Sequence, residues 1–551
     1  MKPALARVVH VSAVAVVALQ AMALATRYFQ PWLDGDYLLP ERFAADVLAG
    51  TYPLSGWTLS SSPYLFPDLA LSVVWRTLLG DLPLLPYYVV MSYVSLALIA
   101  GWSLQRVLAP EGTPVSTEHG GSEAAPRATG WIAGALIVNL LLAWQGFADH
   151  ARWLWWLGTA TFHGGAVLIG MAQFALWAGP PETTPSRRRF LCGAALLFLG
   201  LVSDTLLLTQ FVAPLAMALW ATAPGSRWRA PRFRSFLGAL FLAYLLVLML
   251  RGALLVADWW NFPNVVRYAP TPSAVAATAA RMAADLAGPV AAAIPGFLAL
   301  GLSATALAIG LSARGHRQKP FSIERRQAGF FASLGLLNTS LLPVVAVYWQ
   351  NPQHGRYLLP CLVLPLWWLV TTLPPSRLRS SWPTALIAIG LVALAAWRVP
   401  AIDFSRWAWP YPDRVAALDS LLAPADRGRV RGLADFWHAN YLNAVSRSLN
   451  LNQLRPDGRV QFWGNNAFHH YDSAPDGTEL RIPAYSFIVT NGLDPAALRT
   501  KFGEPARAVS MGEYEVWLYD EPAARRIGAV VDSEVRAFLR DRPGTARIAA
   551  P

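Results

Sequence analysis

Long, nearly uncharged apolar runs constrain this chain more than any other feature. Runs such as 190–222, 235–257 and 286–312 are long enough to cross a hydrocarbon core of about 30 Å. Only 14% of the 551 residues are charged, where a soluble protein carries roughly a quarter. Lipid is therefore the expected solvent for most of the chain. Cys192 and Cys361 both lie inside apolar runs, so they form neither a disulfide framework nor a metal-ligand pattern. The first apolar segment follows Lys2 and Arg7 and runs straight into Arg27-Tyr28-Phe29. Without a small-residue cleavage site, it reads as an uncleaved first helix.

The net charge of +12 does not indicate nucleic acid. Residues 400–551 hold 18 basic and 18 acidic residues, which leaves 27 basic against 15 acidic in the apolar part. The excess clusters between apolar runs, at Arg187–Arg189, Arg227–Arg234, Arg314–Arg326 and Arg377/Arg379. That is positive-inside patterning, not a phosphate-binding stripe.

Eleven membrane helices are expected, with the N-terminus inside and the C-terminus outside. They cover 8–26, 83–107, 130–147, 153–178, a short pair at 190–203 and 206–222, 235–258, 286–313, 328–349, 357–373 and 384–399. The choice rests on two ambiguous stretches. If 65–80 lies along the interface and 190–222 is a hairpin broken at Ser203-Asp204, 18 Lys/Arg fall inside and 7 outside; the alternative gives 14 against 11. Basic residues prefer the inner loops, so the first arrangement is favoured. It places nine aspartates at or near the outer face, Asp34, Asp36, Asp149 and Asp204 among them, and none in the inner loops. Residues 109–129 read as a flexible inner loop.

From about 400 the apolar runs stop. "RGLADFW", "YSFIVTN" and "YEVWLYD" read as strands, and "DPAALRTKFG" as a short helix with an Asp-Pro start and a Gly stop. The expected architecture is an all-α polytopic membrane domain over 1–400 and a small extracytoplasmic α/β domain over 401–551, ending in a loose Arg/Ala/Pro tail. No Walker loop, dinucleotide fingerprint or internal repeat occurs, so nothing supports a nucleotide-driven mechanism.

The first outer loop, 27–64, carries Asp34-Gly35-Asp36 ahead of a short helix expected from Pro40 to Ala49. Two carboxylates one residue apart can act as a general base or share a divalent cation; Asp-Gly-Asp is also ordinary turn chemistry. "NPQHGRYLLP" sets His354 and Arg356 in a short outer turn, where the arginine either reaches lipid headgroups or binds a phosphate through its two-pronged guanidinium. Asp149 and His150 are expected in a turn between helices, and His163 deeper in the next helix as a packed, neutral imidazole. Asp204 marks the hairpin apex, as a helix cap or a site residue. Arg251 lies within an apolar run, where an ionisable group is a functional candidate with a partner.

The order of these features resembles the GT-C superfamily of membrane glycosyltransferases, especially the protein O-mannosyltransferases and aminoarabinose transferases. A first helix leads to an outer loop opening with paired acids. "SSPYLFPDLALSVVWRTLLGD", a helix ending "SLQRV", the interrupted pair at 190–222 and the "RYLLP" turn follow. The likeness spans roughly residues 8–400. This chain departs from the family where Asp34-Gly35-Asp36 stands for the common Asp-Glu, and where Asp204 stands for a frequent lysine at the hairpin apex. The resemblance implies transfer of a sugar from a polyprenyl-phosphate donor to an acceptor hydroxyl on a glycan, lipid or protein, with inversion. Asp36 or Asp34 would be the base, Arg356 with His354 would meet the donor phosphate, and Asp149, His150, His163, Asp204 and Arg251 would line the substrate cavity. A divalent cation, if needed, would sit on Asp34/Asp36 with Asp149 or His150. A transporter or flippase, or a polysaccharide polymerase or ligase of different fold, is the alternative reading.

Overall fold

The computed structural model describes residues 3–59, 64–108, 124–143, 148–159, 163–223, 227–256, 271–287, 322–345, 357–372, 381–422, 430–473 and 480–540. These residues are mostly helical, with a small C-terminal sheet. Among the described residues, three helices are long and apolar enough to cross a membrane: Arg7–Tyr28, within α1 (Pro3–Tyr28), α4 (Leu85–Leu108), and Pro231–Ala253, within α10 (Pro231–Val256). Shorter apolar helices accompany them at Thr129–Ala143, Gly164–Trp177, Leu208–Ala221, Pro360–Thr371 and Ile389–Ala401. The expected span 286–313 lies almost wholly outside the described residues, as do 109–123 of the expected inner loop.

α5 (Ala124–Ala143) packs against α1 and α4. The α1–α5 contact is keyed by polar groups, Gln20 Nε2 donating to Asn139 Oδ1 at 2.7 Å and Asn139 Nδ2 to Ala13 O at 2.9 Å. Such bonds register helices where lipid offers no hydrophobic drive between them.

Both ambiguous stretches take definite shapes. Within 65–80 the helix α3 (Ala70–Leu79) has ten residues, about 15 Å at 1.5 Å per residue, too short to cross a bilayer. It lies against α2 (Gly35–Ala49). α8 (Arg187–Ser203) ends at Asp204, whose backbone is extended, and the chain turns back through Leu208–Val212 into α9 (Ala213–Ala221). Gln327 joins the far end of that return to the end of the preceding apolar helix, bonding Gly179 O and Thr222 Oγ1. The segment 190–222 therefore runs to one end of the bundle and back.

The expected single span 153–178 is instead two helices, α6 (Ala148–Gly158) and α7 (Gly164–Trp177). His163 is not deep in a helix; it sits at the break, with φ of 68°. Gly164 permits the break, because a Cβ there would lie 2.4 Å from Leu157 O. Asp149 and His150 belong to the first turn of α6, not to a turn between helices. The short outer helix begins at Gly35, five residues before the expected Pro40, because Asp34 caps it.

Beyond 400, β2 (Val430–Asp435), β3 (Leu449–Leu454), β7 (Phe487–Val489), β8 (Arg507–Met511) and β9 (Tyr514–Leu518) form a five-stranded sheet in the order β3-β2-β7-β9-β8. β3, β2 and β7 run parallel, while β9 is antiparallel to β7 and β8. The three expected strands fall on β2, β7 and β9, and the Asp-Pro helix on Pro495–Phe502, capped by Asp494 and ended at Gly503 with φ of 86°. Glu521–Arg540 forms a packed helix, and residues 541–551 of the expected loose tail lie outside the described residues. Ala523, Ala524, Ile527, Val531, Val535 and Leu539 recur on one buried face, a helical period outweighing the arginine-rich composition.

Candidate functional site

Four separated segments meet at the end of the bundle where the chain turns at Asp204. Asp204 Oδ1 accepts the Leu206 backbone N–H at 3.0 Å, as a cap would. Its Oδ2 lies 2.6 Å from His163 Nδ1. On the other side of the ring, His163 Nε2 is 3.3 Å from the Tyr64 hydroxyl. The carboxylate accepts the Nδ1 proton, which leaves Nε2 as the acceptor for the Tyr64 O–H. Both side chains of the His163–Asp204 pair are buried. Tyr64 is anchored by its own N–H on Ser203 O at 3.1 Å, and the Phe66 N–H reaches Ser203 Oγ at 2.7 Å. Tyr357 brings the fourth segment, its ring 5.1 Å from that of His163 and its carbonyl bonded to Gln210 Nε2 at 2.8 Å.

Tyr64 and His163 are the two non-glycine residues with positive φ among the described residues, at 53° and 68°. Left-handed backbone at bulky residues costs energy and persists where surrounding contacts over-determine it, a pattern that concentrates at functional sites. Chemically, an imidazole oriented by a buried carboxylate can take a proton at Nε2 while the carboxylate stabilises the resulting cation.

The paired acids lie on the neighbouring element. Asp34 Oδ1 accepts the Asp36 and Tyr37 backbone N–H groups at 3.0 and 3.4 Å and so starts α2. Burial and the adjacent Asp36 charge raise the Asp34 carboxyl above its ordinary range, outweighing those two N–H groups and the Arg152 charge. Arg152 belongs to α6, the helix that carries Asp149 and His150 in its first turn. The turn Leu65–Leu69 packs against α2, α7 and α8.

A third polar group joins α2 to the sheet domain. Arg42 donates to Asn440 Oδ1, to Asn465 Oδ1 at 2.9 Å and to His469 Nδ1 at 2.7 Å. The other His469 nitrogen, Nε2, lies 2.8 Å from Asp46 Oδ1. Asp46 Oδ2 accepts from Trp57 Nε1 at 2.9 Å and Asn466 Nδ2 at 3.0 Å. Burial, and then the Arg42 charge, lower the His469 pKa against the pull of Asp46. Asp46 is lowered too, because His469, Asn466 and Arg42 together outweigh its burial. The strand pair Trp57–Thr58 with Asn465–Asn466 completes the seam. Sequence reading missed Arg42 and His469. The Arg42/Asp46 spacing placed both on one face of a helix, but nothing in the sequence named the partner 423 residues away.

Arg251 Nη2 points to Val202 O at 3.4 Å, one residue before Ser203. His354 and Arg356 lie outside the described residues; Tyr357 is the first described residue after them. No group of three or more His, Cys, Asp or Glu suited to a metal occurs among the described residues. No family model, curated protein or solved structure matches the chain.

Proposed function

We propose that this chain is a multi-pass membrane glycosyltransferase of the GT-C kind. It moves a sugar from a polyprenyl-phosphate donor to an acceptor hydroxyl at the extracytoplasmic face of the plasma membrane. Its N-terminus is cytoplasmic and its sheet domain extracytoplasmic. One observation carries the reading: Tyr64, His163, Asp204 and Tyr357 converge at one end of an apolar bundle, with two of them on left-handed backbone. A packing contact alone gives no reason to hold two bulky residues there.

A donor already dissolved in the bilayer needs no nucleotide site. The acceptor oxygen attacks the anomeric carbon, the bond to the phosphate oxygen breaks, and the hydroxyl proton passes to a carboxylate. Asp36 is the proposed base, a carboxylate suited to removing the hydroxyl proton, with Asp34 holding the start of α2. Arg356, adjacent in sequence to Tyr357, would neutralise the departing phosphate, with His354 beside it. Asp204 holds His163 in the tautomer that accepts from Tyr64, which fixes the two rings relative to each other.

The test is transfer from a panel of labelled polyprenyl-phosphate sugars by purified protein in liposomes. Asp36→Asn should lower turnover by about 10²–10⁴, the usual share of general-base catalysis. Consumption of no donor in the panel would end the reading, as would unchanged turnover in Asp36→Asn, His163→Gln and Arg356→Ala alike.

A further inference from the structure

A cavity of about 370 Å³ opens between α2, α3 and the sheet domain, lined by Glu41, Arg76, Trp409, Asn440, Asn450 and His469 among others. That volume falls within the range of about 300–1,000 Å³ typical of small-molecule sites. Most of the polar groups around it are already matched. Arg42, also on the wall, is spent on Asn440, Asn465 and His469, and Arg76 Nη2 bonds Asp81 at 3.1 Å.

Two groups are not matched. Glu41 is 7% exposed; one of its carboxylate oxygens accepts the Leu84 N–H, and the other, Oε2, is buried with no hydrogen-bond partner. Its nearest cation, Arg76 Nη1, stands 3.9 Å away, beyond hydrogen-bond distance. Asn450, on the edge strand β3, makes no side-chain hydrogen bond among the described residues. A buried acceptor without a donor is costly, and native structures retain one where something else supplies the donor. Burial also raises the Glu41 carboxyl to about 7, so near neutrality it can both donate and accept.

We propose that this cavity binds a neutral, hydroxyl-rich ligand, a saccharide, with Glu41 and Asn450 taking its hydroxyl groups. The charge balance selects the class. Each guanidinium already faces a carboxylate, Arg42 with Asp46 and Arg76 with Asp81 and Glu41, so no cationic excess remains for a phosphate. The same arginines disfavour an amine. Hydroxyl groups match both a carboxyl and a carboxamide, and the Trp409 indole on the wall offers a flat apolar face for a sugar ring. The inference does not rest on the glycosyltransfer reading, because it concerns binding in a cavity apart from the His163–Asp204 pair.

The experiment is saturation-transfer NMR on the full chain in lipid nanodiscs, titrating the methyl glycosides of glucose, mannose, galactose and N-acetylglucosamine. Sodium phosphate and ethanolamine are added separately as competitors. At least one glycoside should give a saturable signal that neither competitor displaces. Asn450→Ala disturbs no internal bond and should weaken that binding about threefold or more, the worth of one hydrogen bond; Glu41→Gln, which keeps an acceptor for Leu84, should weaken it as well. Absence of saturable binding by every glycoside, displacement by phosphate or ethanolamine, or unchanged affinity in Asn450→Ala would overturn the proposal. None of these results depends on transfer activity.

Discussion

Replacing His470 with Leu should make the sheet domain less sensitive to acid. His470 is 2% exposed, and neither ring nitrogen has a hydrogen-bond partner. Burial, with the neighbouring His469 and the Arg431 and Arg42 charges, depresses its pKa from 6.5 to about 3. The folded state therefore keeps the ring neutral where the unfolded chain protonates it. Stability is fully present above pH 6.5 and declines as the pH falls, until the folded form also takes the proton near pH 3. Each unit is worth about 1.4 kcal/mol. At pH 5 the gap of 1.5 units from the ordinary value amounts to about 2 kcal/mol. His470→Leu removes this loss. It also removes two unpaired buried nitrogens, a gain at every pH of roughly 1–3 kcal/mol. Amide exchange of Val430–Asp435 and Phe487–Val489 in the full chain, at pH 7.5 and 5.0 with the intrinsic rates corrected, reads both terms. The wild type should lose about 2 kcal/mol more protection than the variant over that interval. Identical pH dependence, or a variant weaker at pH 7.5, would refute the account of a buried, unpartnered imidazole.

Three further outcomes are expected. Arg42→Ala leaves Asn440, Asn465 and His469 without their shared donor and removes a positive charge near Asp46, and should cost about 1–3 kcal/mol at the seam; exchange at Trp57–Thr58 and Asn465–Asn466 should rise, and unchanged protection there would show that the seam does not depend on Arg42. Asp34→Ala should destabilise α2 by about 0.5–2 kcal/mol through loss of its cap, while Asp34→Ser should restore most of that stability without restoring a carboxylate, so exchange across Gly35–Ala49 and sugar transfer should separate. Alkaline phosphatase fused at the C-terminus should be active if the sheet domain is extracytoplasmic, and an inactive fusion with a fluorescent cytoplasmic reporter at the same end would reverse the proposed topology.

Local rules carried much of the architecture. Apolar run length marked α1, α4 and α10, since crossing a hydrocarbon core depends on consecutive residues and not on distant partners. Alternation and turn chemistry marked β2, β7, β9 and the Asp494-capped helix for the same reason. The break at Ser203-Asp204 was visible because a charged residue interrupts an apolar run, but what Asp204 does was not. Its partner His163 lies 41 residues earlier, and it faces Asp204 only because Gly164 lets the chain break where hydropathy alone continues one helix. The cap at Asp34 was not read, since the helix was expected only from Pro40, and its raised pKa came from burial that only packing creates. Arg42, Asp46 and His469 show the limit most clearly. Composition fixes that such groups exist, but a hydrogen bond between residues 42 and 469 is a property of two surfaces meeting. Hydropathy and turn propensity act within a few residues and are written in the sequence; charge pairing, desolvation and backbone strain depend on distances that only the folded chain defines.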